Sequence, residues 1–205
     1  MNIIAQNLGK KFRYEWVFRN LNYEFHSGES YTFIGANGSG KSTLLQVLSG
    51  FMPHSEGIIQ YKNQEKLILI DDYYKHLTVA APYLELIEDF TLTEIIEFHV
   101  KFKPFKNNLS ISDFIDFIEL SKAKNKEIKF FSSGMKQRVK LGLAFWSDCE
   151  ILMLDEPTSN LDLAASSWYL RNVQEHSKNR LLFICSNQAS EYEFCPNILN
   201  IQDYK

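Results

Sequence analysis

The sequence predicts an α/β fold: a mainly parallel sheet covered by helices on both faces, with N-terminal antiparallel strands and an inserted helical subdomain. Three observations carry this expectation. Apolar runs of strand length stand at 31–34, 151–154 and 181–186, and the run at 151–154 carries no polar residue, as in strands buried on both faces. Stretches of helical spacing fall between these runs, so strands alternate with helices as in a parallel sheet. Between about 77 and 137 the chain changes character and reads as helix after helix.

Taken in order, residues 3–8 and 21–25 read as strands, and 31–34 as a strand that stops at a glycine-rich turn. A helix follows from Lys41, with Leu44, Leu45, Val47 and Leu48 on its apolar side and Gly50 near its end. Residues 58–61 and 67–70 read as further strands. Helical spacing marks 93–102 and 112–120, with Ser112 as N-cap of the second, and another helix starts at Ser132 and runs to about Phe145. A last helix is expected from Leu163 to about His176, between the strands 151–154 and 181–186. The expectation is one domain over 1–205, with a core of 1–76 and 138–205 and a helical subdomain of 77–137.

Composition narrows the function classes. With 205 residues, 45% of them hydrophobic and 23% charged, the chain can bury one sizeable core and is too polar to live in lipid. No apolar run approaches the ~20 residues of a membrane helix, and the start, MNIIAQNLGKKF, lacks the apolar centre of a signal peptide. The net charge of −3 offers no basic footprint, so no nucleic-acid partner is expected. Cys149, Cys185 and Cys195 form an odd set without C-x-x-C spacing and are expected as buried free thiols, in keeping with a reducing cytoplasm.

The most specific local signal is GANGSGKST, residues 35–43, lying between a strand and a helix start. Gly35, Gly38 and Gly40 lack a β-carbon, which lets the backbone curl around a phosphate and turn the N–H groups of Ala36, Asn37 and Ser39 inward. The helix beginning at Lys41 adds its positive dipole end. Lys41 can reach the β- and γ-phosphates, Ser42 can ligate Mg²⁺, and Thr43 closes the motif. A second signal is the apolar run 151–154 ending in Asp155, Glu156 and Pro157. It delivers acids to the carboxyl end of a sheet strand, where α/β folds hold ligands. Neighbours on a strand point to opposite sides, so the two acids divide the work: Asp155 for the Mg²⁺ shell, Glu156 for the attacking water.

Together with FSSGMKQR at 131–138 and SNLD at 159–162, these motifs occur in an order that resembles the nucleotide-binding subunit of ABC transporters over nearly the whole chain. The resemblance implies a P-loop NTPase core, ATP and Mg²⁺ as cofactors, and ATP hydrolysis. It also implies a sandwich homodimer in which Ser132, Ser133 and Gly134, a diverged LSGGQ-like signature, close over ATP held by the other chain. Asp162 matches the D-loop, and Phe12 matches the aromatic that stacks on adenine, with Tyr14 and Trp16 close behind. No NKxD guanine-reading string is present, since Asn125-Lys126-Glu127 is followed by Ile128, so ATP is favoured over GTP.

Two positions depart from the family. Tyr83 stands where a Q-loop glutamine is expected, with Glu85 the nearest polar alternative, and Ser186-Asn187 replaces the switch histidine pair. A neutral amide can hydrogen-bond a γ-phosphate but cannot become an imidazolium, so Asn187 implies slow hydrolysis. The family further implies an integral membrane permease as partner and a place at the cytoplasmic face of the membrane; of the apolar side chains within 83–105, most are expected in the subdomain core and the remainder in a groove for a partner helix. A soluble ABC-type ATPase without a permease and a small-molecule kinase are the competing readings.

Overall fold

The computed structural model describes residues 1–205. The first two strands, β1 (Asn2–Phe12) and β2 (Glu15–Phe25), form a long hairpin turning at Arg13 and Tyr14, and β3 (Ser30–Ile34) enters the core. Next come α1 (Lys41–Leu48), the hairpin of β4 (Glu56–Asn63) and β5 (Lys66–Ile68), the single turn α2 (Ile70–Tyr73), and β6 (Leu77–Ala80). The helices α3 (Leu92–Val100) and α4 (Ile111–Phe117) precede α5 (Ser133–Trp146). The chain then runs through β7 (Ile151–Asp155), α6 (Leu163–Ser177), β8 (Leu181–Cys185) and β9 (Asn197–Asn200).

Two sheets result. An antiparallel sheet has the order β2-β1-β4-β5, and a parallel sheet the order β6-β7-β8-β3-β9. Strand alternation divides the interior into two cores. Ile151, Met153, Leu181 and Phe183 pack toward α1 and the N-terminal sheet, whereas Leu152, Leu154, Leu182 and Ile184 pack under α3, α5 and α6. All eight are fully buried, and burial of each aliphatic or aromatic side chain is worth about 1.5–3 kcal/mol, so this sheet is the rigid base of the molecule. Its register aligns Asp155 with Cys185 and Phe33 with Cys185, which gathers the carboxyl ends of β7, β8 and β3 side by side.

Helix starts are fixed by side chains. Thr91 and Glu94 form a reciprocal capping box on α3, Ser132 caps α5 by accepting from the Met135 N–H, and Asp162 caps α6 by accepting from the Ala165 N–H. The three cysteines are free and buried, as the sequence led us to expect.

Several boundaries differ from expectation. Ser110, not Ser112, is the N-cap of α4: its hydroxyl accepts from the Asp113 N–H at 3.1 Å, and Ser112 lies inside the first turn. The strand expected over 67–70 ends at Ile68, and Ile70 opens α2. Residues 77–80, read as the beginning of the helical subdomain, are instead β6, an edge strand paired with β7 in the parallel sheet. Four residues are too few to set a strand period against a helical one, and only pairing with β7 decides their state. The short strand β9 was not anticipated for the same reason.

Candidate functional site

The loop between β3 and α1 is built as its glycines require. Gly35, Gly38 and Gly40 all have positive φ, and a β-carbon on Gly40 would stand 2.3 Å from Val17 Cγ1. Lys41 is buried, and its Nζ donates to the carbonyls of Gly35 (2.8 Å) and Ala36 (3.3 Å), folding the side chain back across the loop. Around the loop lies an open cavity of about 350 Å³ lined by Phe12, Val17, Asn37, Gly38, Ser39, Gly40, Lys41, Ser42, Thr43 and Glu156. Phe12 closes β1 at its rim, 49% exposed, whereas Tyr14 is 97% exposed at the hairpin turn and Trp16 packs against Lys11 and Arg19.

The two acids at the end of β7 separate, but by a turn and not by strand alternation, because β7 ends at Asp155 and Glu156 already leaves the strand. Asp155 is buried and Glu156 is exposed in the cavity. Burial pushes the Asp155 carboxyl up to about 6, against the pull of the Ser42 hydroxyl and with a smaller push from Glu156. Its Oδ1 is buried without a protein partner. Glu156 has φ of 43°, a left-handed conformation that turns the chain sharply off the strand, and its N–H donates to Cys185 O at 2.8 Å.

The positions that depart from the family pattern also reach this region. Asn187 Nδ2 donates to Asn37 Oδ1 at 2.5 Å, which brings the second residue after β8 onto the phosphate loop. Tyr83 is 42% exposed, but partial burial of its phenol raises it above its ordinary value, the Asp155 charge adds to this, and the Gln46 side chain lies against its hydroxyl. Glu85 lies elsewhere, on grooves shared with Leu86 and the α3 and α5 side chains.

A second cavity, of about 330 Å³, brings together Ser132, Ser133, Gly134, Met135 and Arg138 from the start of α5 with Asn160, Asp162 and Ala165 from the loop and helix after β7. The two cavities share no residue. Gly134 has a local reason to lack a side chain, since a β-carbon would stand 2.9 Å from the Asn160 carbonyl. Two residues that sequence reasoning passed over hold the connecting loop. The buried Gln137 donates to Pro157 O at 2.9 Å, and Glu191 accepts the Thr158 N–H at 3.0 Å. Gln137 lies inside the string 131–138 that the sequence singled out, but Glu191 carries no local signal.

A glycine loop between strand and helix, faced by the acids of a strand two places away and flanked by an antiparallel sheet and a helical insert, defines a P-loop NTPase of the ATP-binding-cassette kind. The ABC transporter family model matches residues 18–159, and the chain belongs to that family. The uncharacterized ABC transporter ATP-binding protein YybJ of Bacillus subtilis is 33% identical over 156 residues, covering 76% of this chain and 71% of its own. A second Bacillus subtilis relative, the uncharacterized ABC transporter ATP-binding protein YcbN, is 27% identical over 79% of this chain, which spans 53% of the relative. Among solved structures, a dimeric bacterial ABC transporter cassette superposes with a TM-score of 0.81 at 19% identity, covering 97% of this chain and 94% of its own.

Proposed function

We propose that this chain is an ATP-binding and ATP-hydrolysing subunit that powers substrate translocation by a separate membrane permease, through ATP-driven dimerisation. One observation carries the reading above the others: the chain presents two helix N-termini suited to phosphate, that of α1 and that of α5, in cavities that share no residue. A nucleotide held by the first leaves the second free for a nucleotide on another copy.

In this reading, the backbone N–H groups of residues 35–43 cradle the phosphates, Lys41 leaves the Gly35 and Ala36 carbonyls for the β/γ oxygens, and Phe12 stacks on adenine. Buried Asp155, with Oδ1 unpartnered and the Ser42 hydroxyl beside it, is a hard oxygen set suited to Mg²⁺, and those two residues would hold it. When bound, the ion neutralises charge on the phosphate oxygens. Glu156 orients the attacking water, Asn187 donates its amide to the γ-phosphate, and Ser132, Ser133 and Gly134 close over the partner copy's ATP. Asp162, whose carboxylate caps α6, shapes the loop at the copy-to-copy seam.

No helix is long and apolar enough to cross a membrane. Attachment at the cytoplasmic face through a permease is supported by the family and by a groove of about 220 Å³ where exposed Ile87, Phe98 and Phe102 meet His99 and Leu143. The test is ATP binding and turnover of the purified protein against Lys41→Ala. The variant should lose at least a hundredfold in turnover, because it removes the cation aimed at the transferring phosphate. Wild-type affinity and turnover in Lys41→Ala would overturn the reading.

A further inference from the structure

Glu191 lies in a short 3₁₀ turn, Ala189–Glu191, that follows the segment carrying Asn187. It is 1% exposed, and its Oε1 accepts both the N–H and the hydroxyl of Thr158, two residues beyond Glu156 and four before Asp162. Its own backbone is held in turn: the Glu191 N–H donates to Gln188 O at 3.0 Å, and the Tyr169 hydroxyl donates to Glu191 O at 3.2 Å. Oε2 is buried with no protein partner. One of its two carboxyl oxygens is thus idle, and a buried polar atom without a partner costs stability. A glutamine could accept both Thr158 donors through one oxygen, with its amide nitrogen in the place of the idle Oε2. What the acid does accomplish is mechanical. The loop after β7 is gripped on one side by Gln137, from the helix that begins with the signature residues, and on the other by Glu191, from the segment after β8.

We infer that Glu191 is a positioning residue that ties the segment carrying Asn187 to the loop carrying Glu156 and Asp162, so that groups on both sides of the phosphate site take up their places together. The inference rests on the proposed ATPase function for its readout, not for its geometry. A movement of Asn187 toward a bound phosphate is passed through Glu191 to Thr158, and thence to Glu156 and to the seam with a second copy.

The experiment is a double-mutant cycle on ATP turnover of the full chain, using Glu191→Ala and Thr158→Val. Glu191→Ala should lower kcat at least tenfold with KM for ATP changed less than threefold. Adding Thr158→Val should cost nothing further, since the partner is already gone. Glu191→Gln, which keeps the acceptor, should stay within threefold of wild type, whereas Glu191→Asp, which withdraws it by one methylene, should behave like the alanine variant and replaces it if that one does not fold. Wild-type kcat in a folded Glu191→Asp or Glu191→Ala protein, or losses that multiply in the double variant, would overturn the inference. The same cycle read as ATP-dependent dimerisation in the Glu156→Gln background tests the tie without turnover, so a wild type that binds ATP but does not hydrolyse it counts against the ATPase reading alone.

Discussion

At the scale of single residues, the site trades stability for chemistry, and Asp155 is the clearest instance. An acid whose carboxyl is pushed up to about 6 by burial holds its proton more tightly folded than unfolded. Its contribution to stability is therefore present below the ordinary carboxylate range and is lost as pH rises through about 6, an effect of at most ~3 kcal/mol. Nucleotide-free Asp155→Asn should melt several degrees above wild type at pH 7.5 and lose the decline between pH 4 and 6, while Mg²⁺-dependent ATP binding falls away; thermal melts across that range check it, and a lower melting temperature at pH 7.5 would contradict it. Asn187 is tested by single-turnover hydrolysis. Its neutral bond is worth about half a charge-assisted one, so Asn187→His should be roughly ten- to a hundredfold faster and Asn187→Ala slower, and equal rates in all three would remove it from the phosphate. Lys41, Ser42, Asp155 and Glu156 could be singled out in the sequence because the motifs that hold them span only a few neighbouring positions. Glu191 was not, since its partner Thr158 lies 33 residues away and nothing in the intervening sequence announces the pairing.

At the scale of elements, legibility followed length and caps. Helices α1, α5 and α6 were readable from spacing and from Ser132 and Leu163 at their starts, and β7 and β8 from unbroken apolar runs. The edge strands β6 and β9 have four residues each, and their state is decided by pairing with neighbours far along the chain. Gly142 shows packing overriding propensity in the same way. In mid-helix, alanine normally stabilises by about 0.5–1 kcal/mol over glycine. Here a β-carbon would stand 2.3 Å from Ile118 Cγ2 and 3.1 Å from Phe114 Cζ, because α4 and the residue capping it lie directly against α5. Gly142→Ala should therefore destabilise by ~1–3 kcal/mol, read as a lower denaturation midpoint with the same slope. A raised midpoint would mean that α4 yields easily and does not hold the signature helix in place.

At the scale of the whole molecule, one rigid parallel sheet carries both halves of the proposed mechanism. The ends of β3, β7 and β8 bring the phosphate loop, the two acids and Asn187 together, and the helices on the far face present Ser132–Gly134 in a cavity of their own. The sequence made the order of these parts readable but not their separation into two cavities, which depends on how α5 and the loop after β7 meet at Gly134 and Asn160. Two half-sites in one chain amount to two whole sites only in a pair of chains. The most direct test is the mass of the Glu156→Gln protein in solution, measured by size exclusion with light scattering at a concentration where the nucleotide-free protein is monomeric. With ATP and Mg²⁺ it should run as a dimer and return to monomer when nucleotide is removed. A protein that binds ATP tightly and remains monomeric at every concentration would contradict the account.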